Sequence, residues 1–373
     1  MNYDEHIRTE LLQWEKAKRL HPLEQLFWEC TLRCNLNCRH CGSDCRTVSL
    51  AKDMPLEDFV PVLDELAEKT DASGIMVVTT GGEPLMRKDI LDIGRAIRER
   101  GFLWGMVSNG MLLTENMLDN LINAGLQSLS LSIDGFEEEH NWMRGNPNSF
   151  GRVVSAIKML AARNITWDVI TCVNNKNIDT LPAFHDFLYS IGVRQWRIFT
   201  VFPAGRAVGD AEMKLSPKDM RRVMDFIVAV RKYGKIDLEY SCEGFLGEYE
   251  HKVRKERFCC ISGVHVASIR GNGDISGCLS MRNNYTQGNI YKDSFVDVWN
   301  NRFQKFRDRE WMKTGVCTDC KVWDLCEGNG MHLRDDDGNL LLCNLKQCLR
   351  TDIQSLVLVY SPRSAQSPRS RLR

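Results

Sequence analysis

The run Cys34-Asn35-Leu36-Asn37-Cys38-Arg39-His40-Cys41 places three thiols within one short loop. It follows directly on an apolar stretch, Glu24–Thr31, whose composition predicts a strand. Three soft thiolates this close together suit an iron–sulfur cluster, zinc or Cu(I). A [4Fe-4S] cluster held by three cysteines keeps its remaining iron open to a ligand that is not protein. A structural zinc knuckle normally begins with a tighter cysteine pair than Cys34 and Cys38, which are separated by three residues. His40 and Cys45 stand near enough in sequence to complete a four-ligand site, so on spacing alone zinc, another metal and ordinary thiols all stay open.

The rest of the chain narrows the field. At 373 residues it is long enough for two domains, one of them with a substantial core. Forty-nine basic residues balance 49 acidic ones, so no global field favours nucleic acid or an anionic membrane. No run approaches the length of a membrane span, and the start Met-Asn-Tyr-Asp-Glu-His lacks a signal peptide's basic and apolar regions, so the expected location is cytoplasmic. In a reducing compartment, 15 cysteines are better explained as metal ligands than as disulfides.

Outward from the cysteine loop the pattern alternates. Apolar runs at Glu24–Thr31, Ile75–Thr79, Phe102–Val107, Ser128–Ile133, Thr166–Val173 and Gln195–Val201 predict strands. Stretches of helical period near 56–69, 88–99, 114–124, 149–162 and 178–190 separate them. In the first helix Leu56, Phe59, Val60, Leu63, Leu66 and Ala67 form one apolar stripe, and Ser149 caps the fourth. Such repetition requires a parallel sheet covered by helices, and six units predict an open partial (β/α)6 TIM-like barrel, with a C-terminal cysteine-rich domain after it. The expected organisation is an N-terminal extension over 1–22, a barrel over 23–232, the cysteine-rich domain over 233–358 and a basic tail over 359–373.

The polar loops all follow predicted strands at their C-terminal ends, where parallel α/β architectures bind ligands. After the second strand come Gly81-Gly82-Glu83-Pro84, whose paired glycines permit close backbone approach. Ser108-Asn109-Gly110 follows the third, and Ser132-Ile133-Asp134-Gly135 ends the fourth. Each alone is an ordinary turn signal.

Together, in this order, these motifs resemble those of the radical S-adenosylmethionine (SAM) enzymes. The resemblance implies that Cys34, Cys38 and Cys41 hold a [4Fe-4S] cluster whose open iron binds SAM, and that reductive cleavage yields a 5'-deoxyadenosyl radical. It implies that the Gly81–Pro84 loop meets the SAM amino group and that Ser108, Asn109, Ser132 and Asp134 lie near the ribose. Arg144, in His-Asn-Trp-Met-Arg-Gly, is then a charge-assisted partner for the SAM carboxylate. His40 departs from the aromatic residue commoner before the third cysteine.

The C-terminal third carries Cys259, Cys260, Cys278, Cys317, Cys320, Cys326, Cys343 and Cys348. Cys260, followed by Gly273 and then Cys278, and the block Cys317-x2-Cys320-x5-Cys326 are similar to the SPASM extension, in which one or two auxiliary [4Fe-4S] clusters reside. Structural zinc is the competing reading. By resemblance Cys317, Cys320, Cys326 and Cys348 serve an outer cluster. Cys260, Cys278 and Cys343 serve an inner one, with Cys259 or Cys242 as fourth ligand. Gly330 stands where the family usually has a further cysteine, and Leu279 replaces the Asp typical of sulfatase maturation.

The resemblance implies a peptide or protein substrate undergoing post-translational modification, with an external low-potential electron donor. The alternative is a small-molecule or haem-related intermediate, and the non-enzymatic alternative an iron–sulfur electron-transfer protein. The segment around Leu11, Leu12 and Trp14 predicts an amphipathic helix that caps the barrel or meets a partner. The tail from Ser361, with repeated Ser-Pro-Arg, predicts disorder. No separate catalytic hydrogen donor is legible.

Overall fold

The computed structural model describes residues 3–49, 51–281 and 285–348. The predicted tail lies outside them. After an N-terminal helix, α1 (Tyr3–Leu20), the chain alternates β1 (Gln25–Thr31), α2 (Leu56–Lys69), β2 (Met76–Gly81), α3 (Ile90–Glu99), β3 (Leu103–Ser108), α4 (Glu115–Asn123) and β4 (Ser128–Ser132). Two helices, α5 (Glu137–Arg144) and α6 (Ser149–Ala161), precede β5 (Thr166–Val173), and α7 (Leu181–Ser190) precedes β6 (Gln195–Thr200). Then come α8 (Pro217–Tyr233), β7 (Asp237–Tyr240), the hairpin β8 (Val266–Ile269) and β9 (Asp274–Ser276), and β10 (Gly288–Asn289).

All strands join one sheet in the order β10-β9-β8-β1-β2-β3-β4-β5-β6-β7, parallel throughout from β8 to β7. Among the described residues the two edges do not pair, which makes the sheet an open, partial barrel. The six predicted strands are present. Beyond residue 232 the chain still extends the same sheet: β7 pairs with β6, and β8 pairs with β1. Neither pairing was legible because each strand spans four residues, too short to display a period. Helix α5 was missed because its first turn, Glu137-Glu138-Glu139, carries no apolar residue, although acids there favour a helix N-terminus.

Packing holds the strand ends in place. Trp28 of β1 stacks on Phe59 of α2 with ring centroids 4.0 Å apart and planes 7° apart. Trp104 of β3 fills the barrel side of α3, where a Cβ at Gly94 would lie 2.1 Å from its ring. Its indole donates to Thr79 Oγ1 at 3.1 Å, and that of Trp196 to Thr171 Oγ1 at 2.9 Å, so both buried N–H groups are satisfied. Ser216 caps α8, accepting from the Asp219 N–H at 3.1 Å. Helix α1 is anchored to the cysteine-rich region: the Trp14 indole donates to Glu327 at 2.8 Å and Lys18 Nζ lies 2.7 Å from the same carboxylate.

Candidate active site

The cysteine loop is tied at both ends. Thr31, the last residue of β1, donates its hydroxyl to Asp53 at 2.6 Å and accepts the Arg33 N–H at 3.0 Å, and Arg33 also pairs with Asp53. The Cys34 N–H donates to the Arg46 carbonyl at 2.8 Å, closing the loop on itself. Cys34 and Cys38 are buried and Cys41 partly buried, in a small apolar cluster with Leu36, Cys45 and Met111. Burial pushes the Cys34 thiol up to about 12. Cys41 is instead lowered to about 5, chiefly by a hydrogen bond with the Cys45 side chain. The side chain that braces this loop comes from the far end of the sheet. Arg206, after β6, donates to the Cys38 carbonyl at 2.7 Å, to the Cys45 carbonyl at 3.0 Å and to Asp44 at 2.7 Å. Its neighbour Gly205 has φ +55°, and a Cβ there would sit 2.3 Å from the Cys41 carbonyl oxygen.

Gly81 and Gly82 close against the same loop. A Cβ would come within 2.2 Å of the Thr31 carbonyl oxygen at Gly81, and within 2.1 Å of that of Arg33 at Gly82. The N–H groups of Gly82 and Glu83 donate to those two carbonyls at 2.7 and 2.9 Å. These donors are therefore engaged within the protein, and the carbonyls of the Gly-Gly-Glu run are the groups suited to an ammonium ligand. Pro84 begins the buried turn that follows. The Glu83 side chain is fully buried and is engaged within the protein. It accepts from Ser108 Oγ at 2.9 Å, the Asn109 N–H at 2.8 Å and the Leu85 N–H at 3.1 Å, joining the loops after β2 and β3. Asn109 reaches across to Asn35 Oδ1 at 2.8 Å, with its amide 3.8 Å from Cys34 Sγ.

Asp134 and Arg144 are turned toward each other. Nε and Nη2 of Arg144 both lie 2.6 Å from Asp134 Oδ2, and Nη1 approaches Cys38 Sγ at 3.7 Å. Although burial opposes it, the Asp134 charge holds Arg144 firmly cationic, and Arg144 in turn keeps the Asp134 carboxyl below its usual range. The guanidinium that the resemblance assigns to the SAM carboxylate thus pairs with Asp134 and places its remaining nitrogen beside the Cys38 thiol. Asp134 also accepts the Cys172 N–H at 2.9 Å, while its own N–H donates to His140 Nδ1 at 3.0 Å. That bond makes Nδ1 the acceptor, so the proton of neutral His140 is on Nε2, 2.9 Å from Ser149 Oγ. Ser132 is only partly buried at the end of β4. His40 Nδ1 is buried without a hydrogen-bond partner, and burial lowers this imidazole to about 4.

The C-terminal thiols fall into groups that differ from the sequence-based assignment. Cys317, Cys320, Cys326 and Cys343 line one cavity of about 340 Å³. Burial pushes Cys326 up to about 12, with the charges of Cys343, Cys320 and Cys317 adding to it. Cys348, expected in this set, does not line that cavity, although the charge of Cys343 reaches it. It is buried, and its foremost charged neighbours are Arg254, Glu250 and Arg221. Cys343, expected at the inner set, lines this cavity instead, directly before the last short helix, Asn344–Cys348. The inner set forms around Cys242, whose thiol is raised by burial and by the nearby charges of Cys260 and Cys278. Cys242 is exposed as a residue while its thiol is enclosed, and it lines a recess together with Cys259. Cys259 has Arg257, Glu327, Arg309 and Glu250 as its strongest charged neighbours.

These donor sets fit the groups in question. Three converging thiols beside a glycine-tight loop suit a cluster with one open iron, and two further all-sulfur groups suit clusters rather than hard cations. The residues that sequence reasoning missed are Arg206 and Asn35. Pro203-Ala204-Gly205-Arg206, a glycine-containing run directly after β6, was the signal available for the first.

Comparison with known proteins agrees with this geometry. Residues 28–188 match the Radical SAM superfamily model, and residues 259–321 match the SPASM model, an iron–sulfur cluster-binding domain. The AdoMet-dependent heme synthase of Methanosarcina barkeri is 28% identical over 319 residues, covering 81% of this chain and 89% of that protein. The Fe-coproporphyrin III synthase of the same organism is 24% identical over 350 residues, covering 87% and 86%. Among solved structures, Streptococcus suis SuiB bound to S-adenosylmethionine superposes with a TM-score of 0.66 at 18% identity, covering 87% of this chain and 77% of that one, a likeness of fold. The thiol loop at the mouth of an open barrel and the separate all-sulfur groups thus have one common explanation: this chain carries a Radical SAM superfamily domain with a SAM-binding [4Fe-4S] cluster and a C-terminal SPASM domain for auxiliary iron–sulfur clusters, and is an enzyme.

Proposed function

We propose that this enzyme acts on a small organic molecule of the haem-related tetrapyrrole class, drawing electrons from an external low-potential donor. The observation that carries the reading is similarity over more than four-fifths of the chain to proteins named for haem and Fe-coproporphyrin III synthesis. Peptide modification, the leading expectation from sequence, is supported by similarity to the PqqA peptide cyclase of Granulibacter bethesdensis, at 22% identity over 312 residues, below the 28% and 24% of the haem-related proteins, while the solved neighbours at 18% identity or less speak for the fold alone.

A recess beside the SAM-side loops is compatible with such a substrate. It has a volume of about 360 Å³ and is walled by Val201, Phe202, Pro203, Met213, Leu215 and Leu342, with Lys214, Asn344 and Gln347 at its border. An apolar macrocycle bearing carboxylates needs that combination of flat apolar wall and a few cationic or amide groups. Met213 and Ala207 of this wall pack with Met143 and Cys172, next to Asp134 and Arg144, so the recess adjoins the loops read here as the SAM site.

When bound, SAM and the cluster supply the 5'-deoxyadenosyl radical that removes a hydrogen atom from substrate. The chain orients and shields. Cys34, Cys38 and Cys41 would hold the cluster, and the Gly81–Glu83 carbonyls would take the SAM ammonium. Asn109 and Ser132 would line the ribose side, while Arg206 and Arg144 fix the loop and its charge. Cys317, Cys320, Cys326 and Cys343 would hold one auxiliary cluster, and Cys242, Cys260 and Cys278 would contribute to a second.

The test is incubation of anaerobically reconstituted, reduced enzyme with SAM and either Fe-coproporphyrin III or a panel of short peptides. The expected result is a mass change in the tetrapyrrole matched mole for mole by 5'-deoxyadenosine. A modified peptide with an unchanged tetrapyrrole would overturn the substrate class while leaving the radical chemistry in place.

A further inference from the structure

Away from both cysteine regions, three metal-competent side chains converge where α1 meets the segment leading into Cys260. His6 and Glu10 are one turn apart on α1 and share a face. The third, His251, is presented by a left-handed backbone at φ +57°, in the turn after a short helical segment at Gly247–Tyr249. His6 Nε2 lies 3.5 Å from Glu10 Oε1, and His251 Nε2 lies 3.4 Å from Glu10 Oε2. The two imidazole rings are 5.3 Å apart between centroids, tilted by 60°. The candidate ligand atoms of all three residues fall within 4.8 Å of one another.

These separations are informative because they are longer than those of well-formed hydrogen bonds, whose N···O distances cluster near 2.9 Å. They match the edge of a ligand tetrahedron: two ligands about 2.1 Å from a zinc ion at the tetrahedral angle stand about 3.4 Å apart. Glu10 Oε2 is buried and receives no hydrogen bond. Oε1 accepts only a long one, 3.4 Å, from the Arg257 N–H. The Arg257 guanidinium is directed away, donating to the Leu325 carbonyl, so it does not neutralise the carboxylate. An ordinary His–Glu ion pair would close to hydrogen-bond distance. Two imidazoles held just outside that distance, around a carboxylate oxygen with no donor, instead leave space for a cation between them.

We propose that His6, Glu10 and His251 form a divalent transition-metal site of the zinc class, independent of the iron–sulfur clusters. Two imidazoles and one carboxylate are borderline-soft to hard donors, suited to Zn²⁺ rather than to iron–sulfur assembly or to Mg²⁺. His6 is partly exposed, its side chain 44% accessible, so water can reach a fourth position. The site pins the beginning of α1 to the cysteine-rich region, as Trp14 and Lys18 on Glu327 pin its end. The ion is structural, and the reaction at the barrel mouth takes no step through it.

The experiment is a calorimetric Zn²⁺ titration of the anaerobic holoenzyme, with its cysteines already occupied by clusters, beside His6→Ala, His251→Ala and the milder Glu10→Gln. The expected result is one tight equivalent of zinc in the wild-type protein, bound with no loss of iron. In each variant its affinity falls on the order of 100-fold or more, since loss of a ligand should exceed the 10–100-fold typical of losing an outer-shell partner. Iron content and SAM cleavage should remain at wild-type levels in the variants. No tight equivalent in the wild type, or equal zinc binding by all four proteins, would overturn the site.

Discussion

The loop after β1 and the cysteine-rich C-terminal region both gather thiols, yet they do so in opposite ways. Cys34, Cys38 and Cys41 belong to one short loop, closed by the Cys34–Arg46 backbone bond and packed against two glycines. Their convergence is local, so bringing them together costs little chain entropy. The C-terminal thiols are drawn from residues 242 to 343, and their grouping depends on how a hairpin, several one-turn helices and two strand ends fold around them. Spacing therefore identifies ligands where the chain between them is short. Where it is long, spacing shows that thiols are available but does not show how they are shared.

Exchanging Cys343 and Cys348 challenges that contrast most directly, and it carries the largest expected effect. If grouping follows tertiary structure, Cys343→Ser loses the iron of one auxiliary cluster, about four atoms per chain, and Cys348→Ser keeps it. Iron analysis with Mössbauer spectroscopy of the two variants reads the difference. Retention of iron in Cys343→Ser together with loss in Cys348→Ser would restore the assignment made from spacing.

A second variant asks whether the local loop is truly local. Arg206 reaches it from beyond β6 and satisfies the Cys38 and Cys45 carbonyls, so Arg206→Ala should loosen a loop whose own sequence is unchanged. SAM cleavage should fall on the order of 10–100-fold, the usual cost of removing an outer-shell partner. Lys cannot reproduce a planar fork that bonds two carbonyls and a carboxylate, so Arg206→Lys should recover only part of the loss. Iron content of the first cluster, measured beside the cleavage rate, separates misplacement from failure to assemble. Wild-type cleavage in Arg206→Ala would mean that the loop holds its shape alone.

What was legible follows the same division. The strands from β1 to β6 and their helices declared themselves through period, because each must bury one face in a common core. Gly81 and Gly82 declared themselves through the absence of side chains, and the structure shows the backbone oxygens that demand it. The pairing of Asp134 with Arg144 was not legible, since either charge alone reads as a ligand contact and only α5 brings them together. Arg206 left no signature of its own because two of its partners are backbone carbonyls, present at every residue. The choice between a peptide and a haem-related substrate stayed open in the sequence for a related reason: the recess proposed to take the substrate combines residues 200–220 with 341–347, which no local pattern connects.

His140 offers the smallest effect and the sharpest view of how the local site is supported. Burial holds its imidazole down at about 3, against 6.5 for an unperturbed histidine, and it is neutral while it accepts the Asp134 N–H. The charged groups facing it, Asp134, Arg144 and His40, partly offset one another, so desolvation decides the direction. For a histidine depressed in this way the unfolded chain binds the proton first. The stability His140 confers is complete above about pH 6.5 and is lost progressively as pH falls toward about 3. His140→Asn keeps an acceptor for the Asp134 N–H but cannot titrate. Its Tm should be lower at neutral pH, for want of the Ser149 bond, yet decline less steeply between about pH 7.5 and about pH 5.5. Thermal unfolding with iron content checked at each pH measures both slopes. Parallel slopes would show that the imidazole is already accessible to protons, and that the wall behind Asp134 is more open than its packing implies.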